Sequence, residues 1–331
     1  MARKNKGRPV NGILVLDKPS GMTSNAVLQK VKRLFQAQKA GHTGSLDPLA
    51  TGVLPICLGE ATKVSHFLLD ANKSYRAKCI LGSVTTTGDS DGEVIARHSV
   101  PELSEEQLLH LLSTFQGHQN QTPPMYSALK YNGRPLYEYA RQGIEIERKV
   151  RQITIFDIKL LDYSFIANTT EQDHPVQKFI EIEVHCSKGT YIRSLCEDIG
   201  QAIGCGAHIS ALRRLESGPF LLSQSVSLAS LTENFAPYDE LDESDKIRMD
   251  QLLLPTDTAI TRLPAVNLDQ EQYDWIQHGH AIDQSQDSEQ SPDTKSDSYP
   301  GNYRLYFNNT LIALAILDES GKLKPKRLLF L

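Results

Sequence analysis

The chain has 331 residues, of which 40% are hydrophobic, and its 35 lysine and arginine side chains against 40 aspartates and glutamates give a formal net charge of −5. This length predicts one large domain followed by a small one. No apolar run approaches the ~20 residues of a membrane span, and the first ten residues lack the apolar core of a signal peptide, so we expect a soluble, cytoplasmic protein.

The charge is unevenly distributed along the chain. Residues 1–78 carry 13 basic and 4 acidic side chains, whereas residues 231–300 carry 4 basic and 16 acidic ones. Because a polyanion meets a local surface rather than the whole chain, the basic N-terminal part favours a nucleic-acid partner despite the negative total. The alternative interpretation is an ordinary scatter of charges over the surface.

The five cysteines and ten histidines lack the spacings of disulfide frameworks and metal sites. No two cysteines form a C-x-x-C pair, and no H-E-x-x-H is present. We therefore expect reduced, packed thiols and no metal. The sequence also lacks a G-x-G-x-x-G, a Walker loop and a G-x-S-x-G, which disfavours nucleotide cofactors and a serine nucleophile.

Periodicity and capping residues predict the elements of the first half of the chain. In chain order they are a strand at 12–17, a helix capped by Thr23 or Ser24, a strand at 52–58, a short helix at 60–70, a strand at 74–82, turns at 85–94 and an amphipathic helix at 101–116 that starts near Pro101. The first helix carries its basic side chains opposite its apolar stripe.

The second half is predicted to end in a small β-rich unit. A strand at 178–186 leads into a helix capped by Thr190, and three strands follow at 303–307, 310–317 and 322–330, joined by hairpin turns. We divide the chain into a large domain over 1–230, an acidic linker over 231–250 and a small domain over 251–331. A polar, low-complexity loop at 284–301 interrupts the small domain.

Residues 122–143 combine four tyrosines, two adjacent prolines and three basic side chains, namely Lys130, Arg134 and Arg141. Aromatic and cationic side chains interleaved on a loop suit stacked bases and phosphates. A proline-rich surface hairpin with its tyrosines packed inward is an equally good interpretation.

The segment Gly41 to Pro55, GHTGSLDPLATGVLP, holds a single carboxylate, Asp47, among glycines and directly before an apolar run. An aspartate in such a loop commonly satisfies backbone N–H groups of a turn. Chemistry is favoured by three other segments, which place Lys18 on a tight turn, Tyr75 at a strand start and Arg193 in the first turn of a helix.

Four stretches, NGILVLDKPSGMTS, GHTGSLDPLATGVLP, KSYRA and GTYIRSL, occur in an order and spacing that closely resemble the TruB-type family of bacterial tRNA pseudouridine synthases, which modify uridine 55 in the T-loop of tRNA. The resemblance spans about residues 9–220 and continues in PPMYSALK and in GKLKPKRLL near the C-terminus. It implies an α+β protein. The catalytic domain would have a central mixed, mainly antiparallel β-sheet with flanking helices and an RNA-contacting insertion at about 120–150, and a small β-rich PUA-like RNA-binding domain would follow.

The resemblance implies that Asp47 is the catalytic aspartate, acting either as a nucleophile or as a base at the ribose. Arg193 matches the arginine that pairs with this aspartate, and we expect it to lower the pKa of the Asp47 carboxyl. Tyr75 matches a tyrosine that stacks on the uracil. Glycines around Asp47 would allow close approach of the RNA, and the apolar strand behind it would exclude water.

Further matches concern the flipped base. His42 matches a histidine that occupies the space left when the base leaves the T-loop stack, which lowers the cost of flipping. Leu212 matches an apolar residue that packs against the base, and Tyr191 is expected beside it. Lys18 supports the loop of Asp47, or is purely structural.

The expected partner is tRNA, bound through its T-arm and elbow by a monomer without cofactor, metal or membrane. The expected RNA contacts, besides His42, are Arg8, Lys130, Arg134, Arg141 and Lys326. An RNA-folding module with an inactive site is the alternative, and a tRNA-folding role is compatible with catalysis. A glycosidase is disfavoured because it needs two acids, and Asp89 and Asp91 are interpreted as turn residues.

Overall fold

A computed structural model describes residues 7–165, 177–235, 240–283 and 301–330. The helices are α1 (Ser24–Leu34), α2 (Ser65–Leu69), α3 (Glu105–Ser113), α4 (Leu136–Ala140), α5 (Ile192–Ile203), α6 (Leu228–Asn234), α7 (Glu243–Asp250) and α8 (Gln270–Gln277). The strands are β1 (Gly12–Lys18), β2 (Ala40–His42), β3 (Thr51–Leu58), β4 (Lys73–Leu81), β5 (Ser83–Thr85), β6 (Val94–Arg97), β7 (Gly117–Gln121), β8 (Lys130–Tyr131), β9 (Arg134–Pro135), β10 (Arg151–Ser164), β11 (Phe179–Cys186), β12 (Ala207–Ser217), β13 (Phe220–Leu221), β14 (Val226–Ser227), β15 (Ala265–Asn267), β16 (Ile282–Asp283), β17 (Asn302–Phe307), β18 (Thr310–Leu317) and β19 (Lys322–Leu328). None of these helices is both long and apolar enough to cross a bilayer.

The larger sheet has ten strands in the order β14-β1-β3-β12-β4-β11-β10-β7, with β2 beside β3 and β13 beside β12. Its pairs are antiparallel except for β1–β14 and β3–β12. The prediction of a mixed, mainly antiparallel central sheet is therefore confirmed.

Helices α1 and α5 pack their apolar stripes against this sheet. Helix α1 buries Val27, Leu28 and Val31 against β1 and β3. Helix α5 buries Leu195 and Ile199 in the core formed by β4, β10, β11 and β12. Because α1 and α5 pack on different parts of the same sheet, their first residues are held at fixed positions relative to its strands.

The C-terminal sheet has five strands in the order β15-β17-β18-β19-β16. The turn between β17 and β18 has Asn308 and Asn309 at φ 48° and 59°. Two consecutive left-handed residues are what a type I′ hairpin turn requires, and asparagine tolerates them. The predicted small β-rich unit is confirmed, whereas residues 284–300 of the predicted polar loop lie outside the described residues.

Two helix boundaries differ from the prediction. Helix α3 begins after Ser104, not near Pro101, because Ser104 and Gln107 form a reciprocal capping box. The helix predicted at 60–70 is a 3₁₀ turn over Gly59–Lys63 followed by α2.

The acidic segment that was predicted as a linker contains α7. Met249 of this helix is buried in the same core as α1, and Asp250 accepts hydrogen bonds from Arg8 at 2.7 and 2.6 Å. Leu254 then pairs through its backbone with Ile13 of β1. Residues 243–254 thus pack on the larger sheet, and the predicted domain division stays a prediction.

Leu329 joins the last strand to the rest of the protein, and its truncation is expected to lower stability. It is 3% exposed and packs in one cluster with Val64 and Phe67 beside α2. Leu329→Ala should cost about 2–4 kcal/mol, visible as a lower thermal midpoint. Phe330, which is 67% exposed, provides the control, and an equal loss in Phe330→Ala would contradict this packing role.

Candidate active site

The loop between β2 and β3 carries Asp47, and α5 brings Arg193 to it. Arg193 Nε lies 3.0 Å from Asp47 Oδ2. The Asp47 side chain is 43% exposed, whereas that of Arg193 is 6% exposed. One carboxylate therefore faces solvent while its cationic partner is buried behind it, so a substrate can reach the acid without displacing the arginine.

The guanidinium of Arg193 has a partner on every nitrogen. Its Nη1 donates to the Thr87 carbonyl at 2.9 Å, and its Nη2 donates to the Tyr126 carbonyl at 2.6 Å. Nη1 also lies 3.5 Å from Asp89 Oδ2. With these anchors fixed, Nε is presented to Asp47 in one orientation.

Asp89 was interpreted as a turn residue, and the structure gives it a second role. Its Oδ1 does accept the Asp91 backbone N–H at 3.2 Å, but its Oδ2 pairs with Arg193, so a second acid joins the site through the arginine. Since Asp89 is buried, it does not provide the second substrate-facing acid of a glycosidase.

The expected direction of the Asp47 pKa is wrong. Burial raises the pKa of Asp47, and although the Arg193 charge opposes this effect, the nearby Asp89 charge reinforces it. Although part of the Asp47 side chain faces solvent, the protein around its carboxyl group desolvates it enough to outweigh the attraction of the arginine. Asp47 is a stronger base than an ordinary surface aspartate.

Lys18 lies behind the loop as a fully buried cation. Its Nζ donates to the carbonyls of Pro19, Pro48 and Ala50 at 2.9, 3.2 and 2.7 Å. Burial lowers the pKa of Lys18 to about 8, against the opposing charge of Asp47. The lysine therefore contacts the backbone directly after Asp47, and its predicted role in supporting the Asp47 loop stays a prediction.

Arg214 is a buried residue of the site that the sequence did not reveal. Its Nε donates to the Val53 carbonyl at 2.6 Å, and its Nη2 donates to the Gly44 carbonyl at 3.1 Å. It also pairs in register with Tyr75 across β12 and β4. Burial raises the pKa of Tyr75, and the Arg214 charge opposes that rise. The sequence has arginines at both 213 and 214, and nothing in it indicates which of the two side chains is buried.

The start of α5 is fixed by Gln121 rather than by the predicted cap, Thr190. The Thr190 hydroxyl donates to the Ser187 carbonyl at 3.0 Å, so that prediction is wrong. The N-cap residue is Tyr191, which has no side-chain cap. Gln121 instead accepts the Tyr191 N–H at 2.8 Å and donates to its carbonyl at 3.0 Å. These two hydrogen bonds fix the backbone two residues before Arg193.

Leu212 and His42 lie on neighbouring parts of the sheet. Leu212 of β12 is buried in one cluster with Leu46 and Tyr75. His42 ends β2, and its Nδ1 is buried without a hydrogen-bond partner among the described residues. Burial lowers the pKa of His42, so a neutral imidazole is expected at neutral pH. The predicted roles of these two residues at a flipped base stay predictions.

The predicted RNA contacts differ in their surroundings. Arg134 lies over the Tyr139 ring at 4.8 Å and Arg141 over the Tyr137 ring at 5.4 Å. Lys130 is exposed in the β8–β9 hairpin, and Lys326 is exposed on β19. Arg8 is instead held by Asp250 and by the Phe35 carbonyl, so it has a structural partner.

No group of three histidine, cysteine or acidic side chains that could hold a metal ion occurs within the described ranges.

Three family profiles match consecutive parts of the chain. TruB family pseudouridylate synthase (N-terminal domain) matches residues 32–192. The tRNA pseudouridylate synthase B C-terminal domain matches residues 193–261, and pseudouridine synthase II TruB, C-terminal, matches residues 264–329. Asp47 and Arg193 fall in the first two of these matches.

Individual proteins are similar over nearly the whole chain. The tRNA pseudouridine synthase B of Vibrio campbellii is 47% identical over 328 residues, covering 99% of this chain and 98% of that protein. The tRNA pseudouridine synthase B of Coxiella burnetii is 51% identical over 275 residues, 83% of each chain. A chain in the solved structure "Crystal Structure of a Cbf5-Nop10-Gar1 Complex" superposes with a TM-score of 0.65 at 26% identity, covering 96% of this chain and 84% of that one.

Proposed function

The chain belongs to the TruB family of pseudouridine synthases and is a tRNA pseudouridine synthase, and on that premise we propose that it isomerises uridine 55 in the T-loop of tRNA with Asp47 as the catalytic carboxylate. The observation that carries this proposal is the half-exposed Asp47 ion-paired with a buried Arg193. It is the geometry that a nucleoside entering from solvent requires.

The reaction is redox-neutral and conserves every heavy atom. The bond from ribose C1′ to uracil N1 breaks, the base rotates, a bond from C1′ to C5 forms, and the C5 hydrogen is released to solvent while N1 gains a proton. Asp47 acts as a nucleophile at C1′ or as a base that removes the proton from C2′. Both routes use the ionised carboxylate, and its raised pKa strengthens it as nucleophile and as base.

The side chains around Asp47 have separate tasks in this proposal. Tyr75 stacks on the uracil, and its hydroxyl, which burial keeps protonated by raising its pKa, helps move the proton after the base is reattached. Leu212 packs against the base and Tyr191 lies beside it. His42 fills the gap left in the T-loop, where its planar ring offsets part of the flipping cost.

The remaining contacts with tRNA would come from the insertion at 120–150 and from the C-terminal sheet. Exposed Lys130, Arg134 and Arg141 lie around tyrosines in the first region, and Lys326 lies in the second. Cations beside aromatic rings suit both phosphates and unstacked bases. We place the enzyme in the cytoplasm as a monomer that opens the tRNA elbow while it reaches the T-loop.

The test is tritium release from a tRNA transcript labelled with 5-³H-uridine. The enzyme should release about one tritium per tRNA, and a transcript with cytidine at position 55 should release none. Equal release from both transcripts would overturn the assignment of position 55, and no release from either would overturn the reaction.

The pH dependence of this activity should report the raised pKa of Asp47. With ionised Asp47 required, the single-turnover rate at subsaturating enzyme should fall as the pH drops through a midpoint above the usual range of an aspartate. Asp89→Asn removes a charge that raises this pKa, so its midpoint should lie at lower pH. A midpoint that is unchanged or higher in Asp89→Asn would contradict the assignment of the acid limb to Asp47.

A further inference from the structure

The turn that connects β1 to α1 holds the backbone on both sides of Asp47. Beyond the contacts of Lys18, the Gly21 N–H donates to the Pro48 carbonyl at 2.9 Å, and the Ser20 hydroxyl donates to the Leu49 carbonyl at 3.2 Å. These contacts lie after Asp47 in the chain. On the other side of Asp47, the adjacent residue Leu46 is held by the side chain of Ser24, the first residue of α1.

The Ser24 hydroxyl satisfies both backbone groups of Leu46. Its Oγ accepts the Leu46 N–H at 2.8 Å and donates to the Leu46 carbonyl at 3.0 Å. Ser24 is 3% exposed, so water does not compete for these bonds. The Leu46 carbonyl belongs to the peptide group whose nitrogen is that of Asp47, and a peptide group is planar. Fixing this carbonyl therefore fixes the direction in which the Asp47 backbone leaves the loop.

Ser24 is free for this task because its neighbour caps the helix. The Thr23 hydroxyl accepts the Ala26 N–H at 3.1 Å in the extended conformation of an N-cap residue. The sequence left Thr23 and Ser24 as equal candidates for the cap. In the structure the Thr23 hydroxyl caps the helix, whereas the Ser24 hydroxyl binds the catalytic loop at Leu46.

We propose that Ser24 is a positioning residue for Asp47, which holds the Leu46–Asp47 peptide so that the carboxylate meets both Arg193 and the flipped nucleoside. This inference rests on the proposed function. Without the hydroxyl, the buried Leu46 N–H loses its hydrogen-bond partner. This loss favours a shifted loop in which the N–H binds another acceptor or water. A displacement of about 1 Å at a reacting group costs on the order of 10²-fold in rate.

The test compares Ser24→Ala with Thr23→Ala, which removes the adjacent hydroxyl and only the helix cap. Ser24→Ala should lower the saturating single-turnover rate by about 10–100-fold, with the Kd for tRNA within about twofold of the wild-type value. Thr23→Ala should lower the thermal midpoint but leave this rate near that of the wild type. Ser24→Thr keeps the hydroxyl and should recover more than half of the lost rate on a logarithmic scale.

A second readout separates positioning from general destabilisation. When the Asp47 carboxylate is displaced, its distance from Arg193 and its exposure to water both change, so the acid limb of the rate should shift in pH in Ser24→Ala and stay in place in Thr23→Ala. Equal rates in the two alanine variants, or an unshifted acid limb in Ser24→Ala, would overturn the proposal. An inactive wild-type enzyme would instead overturn the proposed function, so the two failures are distinguishable.

Discussion

Replacing Arg193 by methionine is expected to lower the single-turnover rate of pseudouridine formation by about 10²–10³-fold. Removing one group that stabilises charge at a reacting centre typically costs about 10²–10³-fold in rate, and Arg193 is the cation paired with the Asp47 carboxylate. In this variant Asp47 and Asp89 would face each other's charge with no cation between them. The pKa of Asp47 should rise further, and less of it would be ionised at neutral pH.

Two other variants give this prediction its controls. Arg193→Lys restores one charge but cannot reach Asp47, Asp89 and two carbonyls together, so we expect it to recover only part of the rate. Arg248→Met removes an exposed arginine of α7, paired with Asp245, and should leave the rate unchanged. Retention of more than a tenth of the wild-type rate in Arg193→Met would contradict the role of this ion pair.

Gly52→Ala should cause a large loss of stability. Gly52 has φ +101°, and a Cβ there would lie 2.1 Å from the Arg214 carbonyl oxygen and 2.7 Å from its nitrogen. These are backbone atoms of the paired strand β12, so the clash is relieved only by separating β3 from β12. We expect a cost of about 3 kcal/mol or more and a thermal midpoint lower by about 6–12 °C.

Gly117→Ala provides the matched control for strain. Its φ of +93° is similar, but an added Cβ would meet nothing within 4 Å. Both alanines would have to adopt a positive φ, but only the one at position 52 would also clash with the backbone of Arg214. If the two variants melted at the same temperature, close packing of β3 on β12 at Arg214 would not be the reason for the glycine.

The sequence predicted the parts of the molecule that depend on local pattern. The alternation of β11 and the turn at Asn308 and Asn309 follow from side-chain period and left-handed propensity, and both are present. The pairing of Asp47 with Arg193, 146 positions apart in the sequence, did not follow from any such pattern. It came from family resemblance, because no local rule relates residues so distant.

The parts that the sequence did not reveal depend on burial. Asp89 sits in a stretch with ordinary turn chemistry, and only the folded chain turns its carboxylate toward Arg193. Arg214 is a charged residue at a fully buried position, which composition argues against. The sign of the Asp47 pKa shift was wrong for the same reason, since the desolvation that raises it is a property of the assembled site.

The most direct measurement is the pair of tRNA affinity and tritium release for Asp47→Asn, in which an amide replaces the carboxylate at nearly constant shape. We expect a Kd for tRNA within a few-fold of the wild-type value and release from 5-³H-uridine tRNA indistinguishable from that of a blank. Release at more than about one hundredth of the wild-type single-turnover rate, with tRNA bound normally, would contradict the claim that this carboxylate performs the chemistry.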